Sequence, residues 1–112
     1  MKGSVFATSF DSLCRSDPDA LAVYDAYESE TWSRAQLAKR ADGTEAEMAA
    51  IPGNLVAICL PNGVDFVSAV VATWRLGRTV IPLDADWTRD ETVRICERFG
   101  ANVLVDRSGI RG

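Results

Sequence analysis

Three aspartates, Asp84, Asp86 and Asp90, follow a short apolar run and precede a threonine-capped helical pattern. Carboxylates so placed could hold a hard divalent cation such as Mg²⁺, which takes oxygen ligands. They would lie beyond a strand's C-terminal end, where open α/β sheets bind ligands. A plainer chemistry accounts for them better: turn formation and a negative complement to a helix N-terminus. That plainer reading is the one adopted, and Asp11, Asp17 and Asp19 are likewise read as turn and capping residues. Asn62-Gly63 sits at a strand–helix junction and could present N–H groups to an anion. One glycine without further glycines reads as a plain turn.

Trp32, Trp74 and Trp87 are the aromatic candidates. Trp74 falls on an apolar helix face and Trp32 ends a hairpin ahead of a capped helix, so both read as core. Trp87, in a loop, is the one placed to contact a ligand. Cys14, Cys59 and Cys96 form no Cys-x-x-Cys pair, and the chain has no histidine to complete a zinc site. All three read as small apolar core residues. With no histidine, and no serine or cysteine beside a credible base, nucleophilic catalysis has no visible machinery. The sequence therefore assigns no catalytic, cofactor-binding or metal-binding residue.

The elements that must position these residues are legible in the periodicity. Val5 to Arg15 has Phe6, Phe10, Leu13 and Cys14 at helical spacing, with Asp11, Ser12 and Arg15 expected to face away. Asp17-Pro18-Asp19 ends that helix, because the residue before proline is pushed out of the α region. Residues 20–25 and 30–32 predict a hairpin with a polar tip at Tyr27-Glu28-Ser29. Ser33 and Gln36 have the spacing of a reciprocal capping box. The helix they start is expected to stop near Asp42-Gly43, with Thr44 to Ala50 adding a separate turn or two.

Leu55 to Leu60 is a continuous apolar run, the pattern of a strand buried on both faces. A helix from about Val64 to Leu76 follows, apolar on much of its circumference and therefore expected to be sandwiched. Thr79-Val-Ile81 is a second strand, and Pro82 places its end at an edge. Thr88 and Glu91 cap a third helix with Val93, Cys96 and Phe99 as its stripe. Gly77 and Gly100 serve as helix stops, since the left-handed position after a helix costs glycine nothing. Asn102-Val-Leu-Val105 is a third strand, and Arg107 to Gly112 reads as a frayed tail. The alternation predicts an α/β, three-layer fold with a parallel βαβαβ core (strands near 55–60, 79–82 and 102–105) behind an N-terminal helix and a β-hairpin. Those helices give thin cover for a parallel sheet, so an incomplete domain over residues 1–112 is expected.

Composition narrows the function. Apolar residues make up 47% and charged residues 25%, with a net charge of −4 and both signs interspersed. No basic patch offsets that balance, which argues against nucleic acid. The longest apolar run falls far short of a membrane span, and the N-terminus has no apolar signal core. A cytoplasmic, non-membrane protein is expected.

Several phrases then fall in a familiar order. Trp32-Ser33-Arg34-Ala35-Gln36-Leu37 resembles the first core motif of adenylation domains, and Leu76-Gly77-Arg78-Thr79-Val80-Ile81-Pro82-Leu83-Asp84 resembles the second. Between them, Pro52-Gly53-Asn54-Leu55-Val56-Ala57-Ile58 and Leu60-Pro61-Asn62 are similar to Pro-Gly-Asp-x-Val-Ala and Leu-Pro-Asn phrases of the same family. Phe10 with Pro18-Asp19-Ala20-Leu21-Ala22 is similar to its N-terminal segment. The chain thus resembles the start of the adenylate-forming (AMP-binding) enzymes, the acyl- and aryl-CoA ligases and nonribosomal peptide synthetase adenylation domains. It departs from the pattern at Arg34, at Asn54 and across Asp42 to Ile51.

The resemblance implies an activity for a complete family member: acyl-AMP formation from ATP and a carboxylic acid, then transfer to CoA or a carrier protein. It implies ATP and Mg²⁺ as cofactors there, and none for this chain alone. The family's Ser/Thr/Gly-rich loop ending in Pro-Lys-Gly is missing here, and the only lysines are Lys2 and Lys39. The expected role is scaffold without stand-alone catalysis, completed by a partner chain with the rest of the domain. The alternative is a non-catalytic interaction or self-association module. A receiver-like or flavodoxin-like protein would need paired acids after its first strand with a late lysine, or a Ser/Thr-rich phosphate loop, and has neither.

Overall fold

A computed structural model describes residues 5–26 and 28–112. In chain order the elements are α1 (Val5–Ser16), β1 (Leu21–Asp25), β2 (Glu30–Ser33), α2 (Arg34–Ala49), β3 (Leu55–Cys59), α3 (Val64–Arg75), β4 (Thr79–Pro82), α4 (Arg89–Phe99), β5 (Val103–Asp106) and β6 (Gly109–Arg111). The β1–β2 hairpin is antiparallel, with Asp25 opposite Glu30. Of its expected tip, Tyr27 lies outside the described residues.

The main sheet has the order β4-β3-β5-β6. β3 runs parallel to both neighbours, with Val56 opposite Val80 on one side and Val103 on the other. Successive side chains of a strand point to opposite faces. Val56 and Ile58 accordingly join Met48, Ala69, Ala72, Val103 and Val105 in the buried core on the α2/α3 side. The other face carries Ala57 and Cys59, and the Cys59 thiol lies 3.8 Å from the Thr92 hydroxyl of α4. Helices thus lie on both faces, as two right-handed crossovers running in opposite directions, β3 to β4 and then β4 back to β5, require. The three-layer α/β architecture expected from the sequence is present.

Local chemistry sets the helix ends. Ser33 and Thr88 each accept from the backbone three residues on, while Gln36 and Glu91 reach back to the cap N–H. Thr88 thereby holds the Glu91 carboxyl below its ordinary value, through its backbone N–H first and its hydroxyl second. Gly77 and Gly100 both sit at φ 70°, past the ends of α3 and α4. α3 buries Val64, Ser68, Ala69, Val71, Ala72 and Thr73, so it is sandwiched as its composition predicts.

Three expectations are corrected. First, α1 buries Ala7 and half-buries Phe10, Asp11 and Cys14, whereas Phe6 is 63% and Leu13 49% exposed. The inward stripe is turned because the Arg75 guanidinium of α3 takes Asp11 at 2.9 Å, drawing a carboxylate to the inner face. Second, α2 does not stop at Asp42-Gly43 but continues unbroken to Ala49. Arg75 also binds Asp42 at 2.8 Å and Glu45 at 3.5 Å, and Ala41 and Met48 are fully buried on the same side. Those contacts outweigh the roughly 1 kcal/mol that glycine costs within a helix. Thr44 hydrogen-bonds back to the Arg40 carbonyl at 3.2 Å instead of capping a new helix. Third, residues after Asp106 are not a tail. The Asp106 carboxylate accepts from the Ser108 N–H at 2.8 Å, forming a tight turn, and β6 pairs antiparallel with β5.

Arg75 has only 14% of its side chain exposed, and it joins α1 and α2 to α3. Its partners keep the guanidinium charged despite a burial that works the other way. Replacing Arg75 with Met keeps the aliphatic packing and removes all three contacts. Between the surface and buried limits for ion pairs, the expected loss is about 2 kcal/mol in urea unfolding, and an unchanged midpoint would refute the strut role. At Gly53, φ is 144° and an added Cβ would stand 2.3 Å from Asn102 Cβ; at Gly100 nothing lies within 4 Å. Gly53→Ala should cost about 2–3 kcal/mol, and Gly100→Ala about 1 kcal/mol from its left-handed backbone alone. Equal thermal shifts for the two variants would contradict that difference.

Candidate functional site

The C-terminal ends of β3, β4 and β5 converge where strand order turns from β4 on one side of β3 to β5 on the other. Ligands of open α/β sheets bind at such a point. Three clefts open there, and Arg107, the first residue after β5, lines all of them.

The largest, about 610 Å³, lies between the hairpin, α2, the start of α3 and the β5–β6 turn. Its inner wall is apolar, with Leu60, Val64, Ala69, Val105 and Ile110. Its rim carries Asp25, Glu28, Glu30, Asp65 and Asp106 against Arg40 and Arg107. Arg40 donates to Asp65 at 2.8 Å and lies 5.2 Å from the Trp32 ring centroid, a cation–π contact that holds the indole in place. The Trp32 Nε1 is buried without a hydrogen-bond partner. An apolar wall under an acidic rim suits a neutral or cationic group and repels a polyphosphate.

The second cleft, about 580 Å³, is lined by Asn62, Phe66, Leu83, Asp84, Asp86 and Arg107, among others. It brings together two of the three aspartates in the acidic cluster. Asp90 is separate, in the first turn of α4. The Asp84 carboxylate accepts from the Asp86 N–H at 2.9 Å, which is the turn geometry expected of it. Among the described residues no group of three or more His, Cys, Asp or Glu side chains is placed to hold a metal. Gly63 caps α3 without a side-chain hydrogen bond. Asp11 binds Arg75, and the Asp17 carbonyl accepts from the Ala20 N–H in a turn.

Trp74 is half-buried with its ring 5.0 Å from that of Phe6, a packing role. Trp87 is 37% exposed and lines the third cleft. Cys59 is buried, while Cys14 and Cys96 are half-buried. Burial raises both of the latter thiols, helped at Cys14 by Asp11 and at Cys96 by Cys59, so neither is an activated nucleophile. The site residues that sequence reasoning missed include Arg40 and Arg107, the latter assigned there to a tail. The signal was present: Asp106-Arg107-Ser108-Gly109 is a turn sequence between two short alternating stretches.

ATP with Mg²⁺ does not fit the groups assembled here. Among the described residues no glycine-rich backbone cradle faces these three clefts, Lys39 lines none of them, and the two aspartates of the second cleft are joined by a turn.

Comparison with known proteins adds the ancestry. Dapdiamide synthesis protein DdaD of Enterobacter agglomerans is 34% identical over 56 residues, covering 50% of this chain and 10% of that protein. The inhibitor-bound N-terminal domain of FACL13 from Mycobacterium tuberculosis superimposes with a TM-score of 0.78 at 20% identity, covering 93% of this chain and 26% of that one. The nonribosomal peptide synthetase FmoA3, in its α-methyl-L-serine-AMP bound form, gives a TM-score of 0.82 at 25% identity, covering 95% of this chain and 12% of that one. The chain therefore spans only a small part of the length of these relatives. The sequence model of the AMP-binding enzyme family matches residues 10–110, so the chain belongs to that family.

Proposed function

We propose that residues 1–112 are a single truncated domain that serves as scaffold in an acyl- or aminoacyl-adenylating enzyme and performs no catalysis alone. The complete protein forms acyl-AMP from ATP and a carboxylic acid and passes the acyl group to CoA or a carrier protein. The observation that carries this reading is the family match over residues 10–110 on a fold whose elements occur in the expected order. It is supported by the poor fit of the three clefts to ATP and Mg²⁺, which leaves nucleotide binding to residues outside this chain. The partner is then a chain or segment with the remainder of the adenylation domain, in the cytoplasm. No described helix is long and apolar enough to cross a membrane. Nucleic acid is not a partner on this reading, since the net charge is −4.

A second reading, self-association through the Rossmann-like sheet and its flanking helices, is favoured by one observation. Val5, Phe6, Leu13, Leu21 and Tyr24 are between 49% and 75% exposed on the consecutive elements α1 and β1. Exposed apolar patches of that kind mark contact surfaces.

Mixing the chain with a separately expressed remainder of an adenylation domain should restore ATP–pyrophosphate exchange, with neither piece active alone. A remainder that does not co-purify with this chain would sink the scaffold reading. Light scattering of the chain by itself separates the second reading: a defined oligomer indifferent to ATP·Mg²⁺ supports self-association, and a clean monomer refutes it.

A further inference from the structure

On the α4 side of the sheet a third cleft, about 200 Å³, opens between the start of α4, the end of β3 and the β5–β6 turn. Arg89, Arg107 and Arg111 line it against one carboxylate, Asp106. In a chain of net charge −4, three guanidiniums gather in one small space. Arg111 is already matched, with both of its terminal nitrogens on the Asp106 carboxylate. Arg89 and Arg107 are exposed, and no ion pair among the described residues involves either. Arg107 also borders the cleft of Asp84 and Asp86, yet neither carboxylate lies within ion-pair distance of it.

The floor of the cleft is effectively apolar. Ala85 and Leu104 contribute hydrocarbon. The Cys59 thiol donates to the Asp84 carbonyl at 3.3 Å and the Thr92 hydroxyl to the Thr88 carbonyl at 3.0 Å, so both polar atoms are engaged. The helix terminus nearby adds little, because the Glu91 N–H is taken by the Thr88 hydroxyl. Attraction for an anion thus comes from the two unmatched guanidiniums, and Trp87 supplies a ring surface beside them. The volume is below the roughly 300 Å³ at which sites for drug-sized ligands begin, so it suits one ring with one headgroup rather than a nucleotide.

The geometry points to this cleft as a binding site for a small aryl phosphate, its headgroup between Arg89 and Arg107 and its ring against Trp87. A phosphate offers three acceptor oxygens to guanidiniums approaching from separate elements, α4 and the β5–β6 turn. A carboxylate is matched by a single bidentate arginine, as Asp106 is by Arg111. The assignment stands apart from the scaffold reading, since the cleft belongs wholly to this chain.

The test is a calorimetric titration of the 112-residue chain with phenyl phosphate at low salt, with tryptophan emission followed in parallel. Saturable binding is expected, with inorganic phosphate weaker and phenol not binding. Arg89→Ala and Arg107→Ala should each weaken binding about tenfold, the scale of one charge-assisted hydrogen bond. Trp87→Phe should retain affinity and lose the emission response, leaving Trp32 and Trp74 unchanged. Circular dichroism confirms that these surface variants fold. Lack of saturable binding, or full binding in the Arg89→Ala/Arg107→Ala double variant, overturns the site. Inorganic phosphate binding as tightly as phenyl phosphate overturns the placement of the ring.

Discussion

A strand that is apolar at every position must be covered on both of its faces, and β3 imposes that constraint on this chain. Val56 and Ile58 have no exposed surface and Ala57 only 1%. Fully burying a Val or Ile side chain contributes about 1.5–3 kcal/mol, so leaving either face open would forfeit a large share of a small domain's stability. α2 and α3 close one face through Met48, Ala69 and Ala72. Among the described residues only α4 covers the other face, and its Val93 and Phe99 remain 40% and 58% exposed. The asymmetry between the two faces also leaves the small arginine-rimmed cleft open beside α4.

The layer outside α3 is organised by charge rather than by hydrocarbon. Arg75 reaches α1 at Asp11 and α2 at Asp42 and Glu45. One guanidinium with five donors can serve several carboxylates at fixed angles, which a lysine could not. The same residue accounts for the turned face of α1 and for the continuity of α2 through Gly43. With Asp11 drawn inward, Phe6 is left to rest on Trp74 at the surface, and the exposed apolar residues of α1 follow from that arrangement.

Family membership and site chemistry separate cleanly in this chain. The motifs that place it in the AMP-binding enzyme family lie at a capped helix start, a strand end and a Gly-stopped helix, positions that shape the scaffold. The clefts at the strand ends are built from other residues: Trp32 and Arg40, Asp84 and Asp86, and Arg107. An acidic rim on one side of Arg107 and guanidiniums on the other give neighbouring clefts opposite electrostatic character within a single switch point.

What the sequence determined by itself is what short-range physics controls. Capping boxes at Ser33 and Thr88, stops at Gly77 and Gly100, and the unbroken apolar run of β3 each depend on residues within a few positions, so their chemistry is readable locally. The βαβαβ order and the turn role of Asp84 and Asp86 were legible for the same reason. The tertiary structure alone decided which face α1 turns inward, whether α2 crosses Gly43, and that the chain after Asp106 returns as β6. Each depends on partners far away in sequence: Arg75 lies 64 residues from Asp11, and β6 exists only because β5 is already held in the sheet. Arg107 became a site residue by the same route. Helical periodicity records apolar burial, but it carries no mark of a carboxylate drawn inward by a distant guanidinium, or of clefts that form only when strand ends meet.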